Sequence, residues 1–419
     1  MFKKVGWISA VVVTAIAVGG VATTAALQTD AFETYDHDPA PTLAAPTGHI
    51  ASQSGGEIDT EELRARLAEH ATDPRLGKLS GVVKDTKTGQ VVWEQNATSG
   101  ARPASTTKIL TAAAALLTLD RNDRIETQVV QAEPGTVVIK GAGDVMLTNE
   151  QLDQLASQIG SADRVLVDTS LWSSDTFLNS WGRENIASGY IAPMEPVMLY
   201  GARIGATSGD VPRSTTPAAD VAKALADRLG ANAGLGKAPE GASVIASTQS
   251  EPLWQRLEEM MEESDNVMAE AVGREVALKR GTGNTVAASV QATREVLQEA
   301  GFDLTGLDLK DNSGLSENNV NTARLLDDVL FRATSDVRLR PLLDTLPIAS
   351  ANGTLANRYL DLAGRGWVRA KTGTLTGTSA LAGLVTSAEG NTFTFALICN
   401  DVDITTSREA LDEFVSELR

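Results

Sequence analysis

The segment that most limits the fold is "ARPASTTKILTAAAALLTLD", residues 101–120. Its run of alanine and leucine is apolar nearly all round, so as a helix it must be buried rather than lie on a surface. Pro103 belongs before or in its first turn. Yet the segment carries Ser105 and Lys108, three positions apart and on one helical face. The fold must therefore bury a lysine amine within reach of a serine hydroxyl.

A serine hydroxyl is a poor nucleophile until a base takes its proton. Histidine is the usual base, but the three histidines here are His37, His49 and His70. Two lie in a tether-like segment and the third in the helix after it, so a Ser-His-Asp triad fits poorly. Lys108 is the alternative. It must lose its charge to act, and both burial and a second nearby cation lower a lysine pKa. A position near a helix N-terminus also favours the Ser105 alkoxide.

Two further motifs follow in order. Ser264-Asp-Asn266 offers a hydroxyl and an amide that can relay a proton to a leaving amine and orient a substrate amide. Ser316-Glu-Asn318 in "DNSGLSENN" competes with it. Ser264 is preferred because it opens the amphipathic "SDNVMAEAV", although serine and asparagine also serve simply as helix caps. Lys371-Thr-Gly373 lies in the strand-like "VRAKTGTL". There Lys371, kept charged, Thr372 and Thr374 can hold a carboxylate, and Gly373 lets a substrate backbone approach closely. The backbone N–H groups of Ser105 and Thr374 are candidates for an oxyanion hole. A second Lys-Thr-Gly, residues 87–89, precedes the nucleophile in a polar turn and is expected to be structural.

Along the chain, Lys3 and Lys4 precede the uncharged, mostly apolar stretch Val5–Leu27. This pattern predicts export, with residues 1–28 acting either as a cleaved signal peptide or as a retained membrane anchor. The remainder then lies outside the cytoplasm. Residues 29–57 read as a flexible linker. A helix is expected over about 58–71, capped by Asp59 or Thr60, and a hairpin over 79–96. Residues 58–122 and 216–419 are assigned to one catalytic domain, and 123–215 to an inserted α/β subdomain. Near the end, "SALAGLVTS" and "NTFTFALICN" form an antiparallel hairpin, and a last helix is capped by Ser407.

The net charge of −18 carries no basic footprint, which argues against nucleic-acid binding. The single cysteine, Cys399, reads as a small buried hydrophobe. No cluster has metal-ligand spacing, and no phosphate-binding or dinucleotide fingerprint occurs, so neither a metal nor a cofactor is expected.

The ordered set Ser-x-x-Lys, Ser-Asp-Asn and Lys-Thr-Gly is a known signature of penicillin-binding proteins and class A β-lactamases. Over residues 60–419 the chain resembles the class C, low-molecular-mass penicillin-binding proteins, which are D-alanyl-D-alanine carboxypeptidase/endopeptidases. The blocks that carry the likeness include "RPASTTKILTAAAAL", "ESDNVMAEAVG", "DNSGLS", "VRAKTGTLTGTSALAGLV", "IKGAGDVMLT" and "GYIAPMEPVMLYG". The resemblance implies an α/β (α+β) transpeptidase-like, serine β-lactamase-like fold, an antiparallel sheet between helices with an insertion after the nucleophile helix. It implies Ser105 as the acylated nucleophile and Lys108 as base. Ser264 and Asn266 then form the second catalytic element, and Lys371 to Gly373 the third. The substrate would be the stem peptide of peptidoglycan, with β-lactams as inhibitors. There are two departures. "APMEPVMLYG" runs quickly into "TTPAADVAKAL", leaving little space for a further nested domain, and Asn312 stands where glycine is usual.

Two other functions compete. A class A β-lactamase would need a glutamate in an E-x-x-L-N context, and none lies between Asn266 and Lys371. A catalytically weak penicillin-binding scaffold or sensor would not require three intact motifs.

Overall fold

The computed structural model describes residues 55–56 and 59–419. The expected export segment over 1–28 and, apart from Gly55 and Gly56, the linker over 29–57 lie outside the described residues. No helix among those described is long and apolar enough to cross a membrane.

The chain opens with α1 (Thr60–His70), capped by Asp59, whose carboxylate accepts from the N–H groups of Glu61 and Glu62. The hairpin β1 (Lys78–Asp85) and β2 (Val91–Gln95) follows. The nucleophile segment then splits into a 3-10 turn, Ala104–Thr107, and α2 (Lys108–Thr118). From Lys108 to Leu116 every residue of α2 is buried, as its composition demands.

A second unit is then inserted. It contains β3 (Glu126–Glu133), β4 (Thr136–Lys140), β5 (Asp144–Leu147), α3 (Asn149–Ile159), β6 (Arg164–Asp168), β7 (Val197–Leu199), α4 (Pro217–Leu229), β8 (Asn232–Leu235) and β9 (Val244–Gln249). Its main sheet has the order β8-β6-β4-β3-β9, with β4, β6 and β8 parallel. The expected end of the insertion at 215 is therefore too early. Val221, Ala222 and Leu225 of α4 share a core with Val129, Val137 and Val165, and β9 pairs with β3. Helical periodicity shows that "TTPAADVAKALADRLG" has a buried face, but not which core that face meets. The chain leaves and re-enters side by side, through backbone bonds from Ser250 to Ile125 and from Leu253 to Asp123. Between β7 and α4 the chain makes only a short hairpin, with Arg203 bridged to Arg213.

The remaining longer elements are α5 (Leu253–Glu262), α6 (Asn266–Arg280), α7 (Val286–Glu299), α8 (Ala323–Ala333), β10 (Val368–Leu375), β11 (Thr378–Thr386), β12 (Thr392–Asn400) and α9 (Ile404–Ser416). The first sheet is antiparallel throughout, in the order β10-β11-β12-β1-β2. Strand β12 shows why it sits between helices. Phe393, Phe395, Leu397 and Cys399 share a core with Leu63 and Leu67 of α1 and Phe414 of α9. Ala396 and Ile398 share the opposite core with Ile109, Ala112, Leu326 and Val329. A strand buried on both faces reads as a continuous apolar run, as this one does. Cys399 is buried and unpaired there, and burial pushes its thiol up to about 12, so it behaves as an apolar filler. The α9 cap is Asp403, which accepts from the N–H of Thr406, rather than the expected Ser407. Ile404 to Thr406 form the first turn, which leaves Ser407 inside the helix.

Candidate active site

Ser105 occupies the 3-10 turn, not the α-helix proper. Ala104 before it has a left-handed φ of 47°, and the turn is closed by Thr106, whose backbone N–H and hydroxyl both donate to the Pro103 carbonyl. In a 3-10 turn, residues three apart eclipse. Lys108 Nζ accordingly lies 3.1 Å from Ser105 Oγ. The amine also donates to Asn266 Oδ1 at 2.6 Å and to the Ser313 carbonyl at 2.8 Å. Lys108 is fully buried, whereas Ser105 is half-buried. Burial pushes the lysine down to about 8, against the opposing charges of Asp265, Asp311, Glu270 and Asp210.

The second motif fills the turn between α5 and α6. Asp265 caps α6 by accepting from the N–H of Met268 at 2.9 Å, and Asn266 is the first helical residue. The Asn266 amide is held at both ends, its oxygen by Lys108 and its nitrogen by the Tyr190 carbonyl at 2.9 Å. Ser264 has a φ of 58° and is half-buried; its hydroxyl takes no part in the bonds that join Ser105, Lys108 and Asn266. The competitor Ser316 is buried elsewhere, bonded to Ser180 and to Asp311. It is Asn266, not Asn318, that meets Lys108.

Strand β10 carries the third motif along the edge of the sheet, against the nucleophile turn. A Cβ on Gly373 would stand 2.6 Å from the Pro103 carbonyl oxygen and 3.3 Å from Ala104 Cβ, so glycine is what admits the strand. Lys371 is fully buried and donates to the Thr372 carbonyl at 3.1 Å. Burial, and then the charge on Lys108, push it well below the usual lysine range. The direction of that shift opposes the charge expected on Lys371. Four carboxylates favour a charge on Lys108, while no carboxylate does so for Lys371, so an incoming anion would favour its charged form. Thr372 bonds Thr354, and Thr374 Oγ1 accepts from Arg408 of α9 at 2.8 Å.

Several site residues carry no recognisable motif. Arg408 brings a cation to the third motif from a helix that is far away in sequence. Glu270, one turn beyond Asn266, accepts from the N–H groups of Asn312 and Ser313 at 2.9 and 2.8 Å. It thereby holds the loop whose Ser313 carbonyl binds Lys108. Burial, with the charge of Asp311, raises this carboxyl to about 7. Asn312, which stands where the family resemblance implies glycine, is buried and fully engaged. Its side chain accepts from Thr293, donates to Ser289 and occupies room left by Gly273. Lys87 of the other Lys-Thr-Gly is exposed on the β1–β2 turn and joins none of this. No group of histidine, cysteine, aspartate or glutamate among the described residues is placed to hold a metal ion.

A serine beside a buried lysine, an asparagine on the next helix and a Lys-Thr-Gly edge strand, on an antiparallel sheet between helices, define the penicillin-binding, serine β-lactamase-like class of fold. Within that class the chain belongs to the D-Ala-D-Ala carboxypeptidase 3 (S13) family, whose profile matches residues 63–220 and 202–418. It is 42% identical to carboxypeptidase DacB of Mycolicibacterium smegmatis, over 93% of this chain and 91% of that one. It is 28% identical to the D-alanyl-D-alanine carboxypeptidase of Actinomadura sp. strain R39, over 86% and 84%. Its fold matches the crystal structure of penicillin binding protein 4 from Haemophilus influenzae, with a TM-score of 0.70, 23% identity and coverage of 86% and 98%.

Proposed function

We propose that this protein is a serine D-alanyl-D-alanine carboxypeptidase that cleaves peptidoglycan stem peptides through an acyl-enzyme on Ser105, and that penicillins acylate the same hydroxyl. The observation that carries the reading is the fully buried Lys108 amine 3.1 Å from the hydroxyl of half-buried Ser105. Neutral Lys108 takes the Ser105 proton as Oγ attacks the carbonyl carbon of the penultimate D-alanine. The backbone N–H groups of Ser105 and Thr374 receive the oxyanion. As the C–N bond breaks, the departing amine takes a proton from Lys108, relayed by Ser264. Water then attacks the ester, with Lys108 again accepting a proton, and frees Ser105. The terminal carboxylate is received by Lys371, Thr372 and Thr374, with Arg408 beside them. The same chemistry opens an internal peptide bond after D-alanine, so endopeptidase activity needs no additional group.

The N-terminal pattern of two lysines before an apolar stretch supports export, with the enzyme working at the outer face of the cytoplasmic membrane or in the cell-wall space. If the segment is retained, it also anchors the enzyme to the membrane.

Mass spectrometry after exposure to penicillin should locate the adduct on Ser105. Ser105→Ala should abolish both labelling and D-alanine release while keeping the fold. An adduct on Ser264 or Ser316 would overturn the assignment.

A further inference from the structure

The second motif is held from outside the catalytic unit. The hairpin between β7 and α4 brings two arginines onto one carboxylate: Arg203 Nη2 lies 2.6 Å and Arg213 Nη2 2.8 Å from Asp265 Oδ2. Their side chains are 4% and 1% exposed, and that of Asp265 is 1% exposed. Buried ion pairs of this kind add little net stability, because desolvation offsets the attraction. Their geometry is more informative. Arg213 also donates to the carbonyls of Gly189 at 2.6 Å and Gly201 at 2.7 Å. Gly189 adjoins Tyr190, whose carbonyl holds the Asn266 amide nitrogen, and Asp265 adjoins Asn266 itself. One guanidinium therefore ties together the residues on either side of the Asn266 amide.

The backbone is bent to make this possible. Tyr200 and Ala202, which lead into the hairpin, have left-handed φ values of 48° and 66°, and Ser264 has 58°. Non-glycine residues keep such conformations only where the surroundings over-determine them. The surroundings here are the arginine contacts, together with backbone bonds from Ser214 to Ala202 and from Arg213 to Ile186.

We propose that the 203–213 hairpin is a positioning device for the second motif: by gripping Asp265 with two guanidiniums it locks the left-handed turn at Ser264 and aims the Asn266 amide at Lys108. Arg203 and Arg213 touch no reacting atom and act through Asp265 and Asn266. The proposal rests on the acyl-transfer reading given above.

The test is the second-order rate of Ser105 acylation by a fluorescent penicillin, measured against pH on the full chain. Arg213→Gln and Asp265→Asn should each slow acylation at least tenfold. The double variant should be within threefold of the slower single one, since both changes break one device. Arg213→Lys should recover part of the loss. The pH profile separates positioning from general loosening. The charges that act with Lys108 are those of Asp265, Asp311, Glu270 and Asp210, which favour its protonated form, and that of Lys371, which opposes it. Removing the Asp265 charge should move the acidic limb to lower pH, and removing the Arg213 charge should move it to higher pH; a loosened site would shift both alike or neither. If Arg213→Gln fails to fold, Arg203→Gln takes its place, because Arg213 then still holds Gly189 and Gly201. Unlabelled wild-type protein would sink the acyl-transfer reading itself. Labelled wild type with every variant within threefold, and limbs that do not part in opposite directions, would overturn the positioning role alone.

Discussion

The same tripeptide, Lys-Thr-Gly, occurs twice in this chain and has opposite surroundings. At 87–89 it forms the turn of the first hairpin. Lys87 and Thr88 are exposed, and both backbone N–H groups donate to the Asp85 carboxylate. Gly89 has a φ of 73°, which closes the turn. At 371–373 the tripeptide lies in an edge strand against the nucleophile turn. There Lys371 is fully buried, Thr372 nearly so, and Gly373 is needed for lack of room rather than for φ. A short motif thus has no chemistry of its own. The second copy gains its chemistry from the antiparallel pairing of β10 with β11, which delivers it to Ser105 and Lys108.

The largest effect should come from removing the group that gives the second copy its chemistry. Lys108→Arg should slow acylation by about a thousandfold, within the range general-base catalysis supplies, because arginine keeps its proton. In the wild type, acylation should rise with pH through about 8, since Lys108 acts only when neutral. Lys371→Arg should leave measurable acylation. Equal, near-complete loss in both variants would erase the distinction between base and carboxylate holder.

Next in size is a pair of glycine substitutions. Gly373→Ala drives a Cβ into the Pro103 carbonyl and displaces the strand from the nucleophile, and such misplacement costs on the order of a hundredfold in rate. Gly89→Ala should instead cost about 1–2 kcal/mol of stability, from its left-handed φ, and leave acylation of the folded protein unchanged. Thermal melts and acylation rates on both variants would show the crossover. Similar rate losses in the two would contradict it.

A smaller effect is expected from the substrate. Amidating the terminal carboxylate of a D-Ala-D-Ala peptide should lower kcat/KM at least tenfold, about 1.4 kcal/mol of transition-state binding. Equal turnover of free and amidated peptides would remove carboxylate recognition from the second copy and favour an endopeptidase role. Smallest of all, Lys87→Ala should change stability by no more than about 0.5 kcal/mol and leave acylation near wild type. A hundredfold loss with the fold intact would bring the first copy into the site.

The parts that depend on local chemistry were legible in the amino-acid order. An alanine-rich segment without a polar face had to become a buried helix, and Ser105 and Lys108 on it had to meet. The three ordered motifs, the hairpins and the family likeness were legible for the same reason: each is written in consecutive residues. Which core α4 serves emerged only from the packed fold, since periodicity marks a buried face without naming its partner. That fold also set the surroundings that push the two lysines, because a pKa depends on which charges lie near a group, and four carboxylates act on Lys108 while none acts on Lys371. Arg203, Arg213, Glu270 and Arg408 could not have been found by pattern. They lie on one hairpin and two helices and acquire their roles through contacts with Asp265, the 312–313 loop and Thr374, and no local rule of spacing encodes contacts between residues so far apart along the chain.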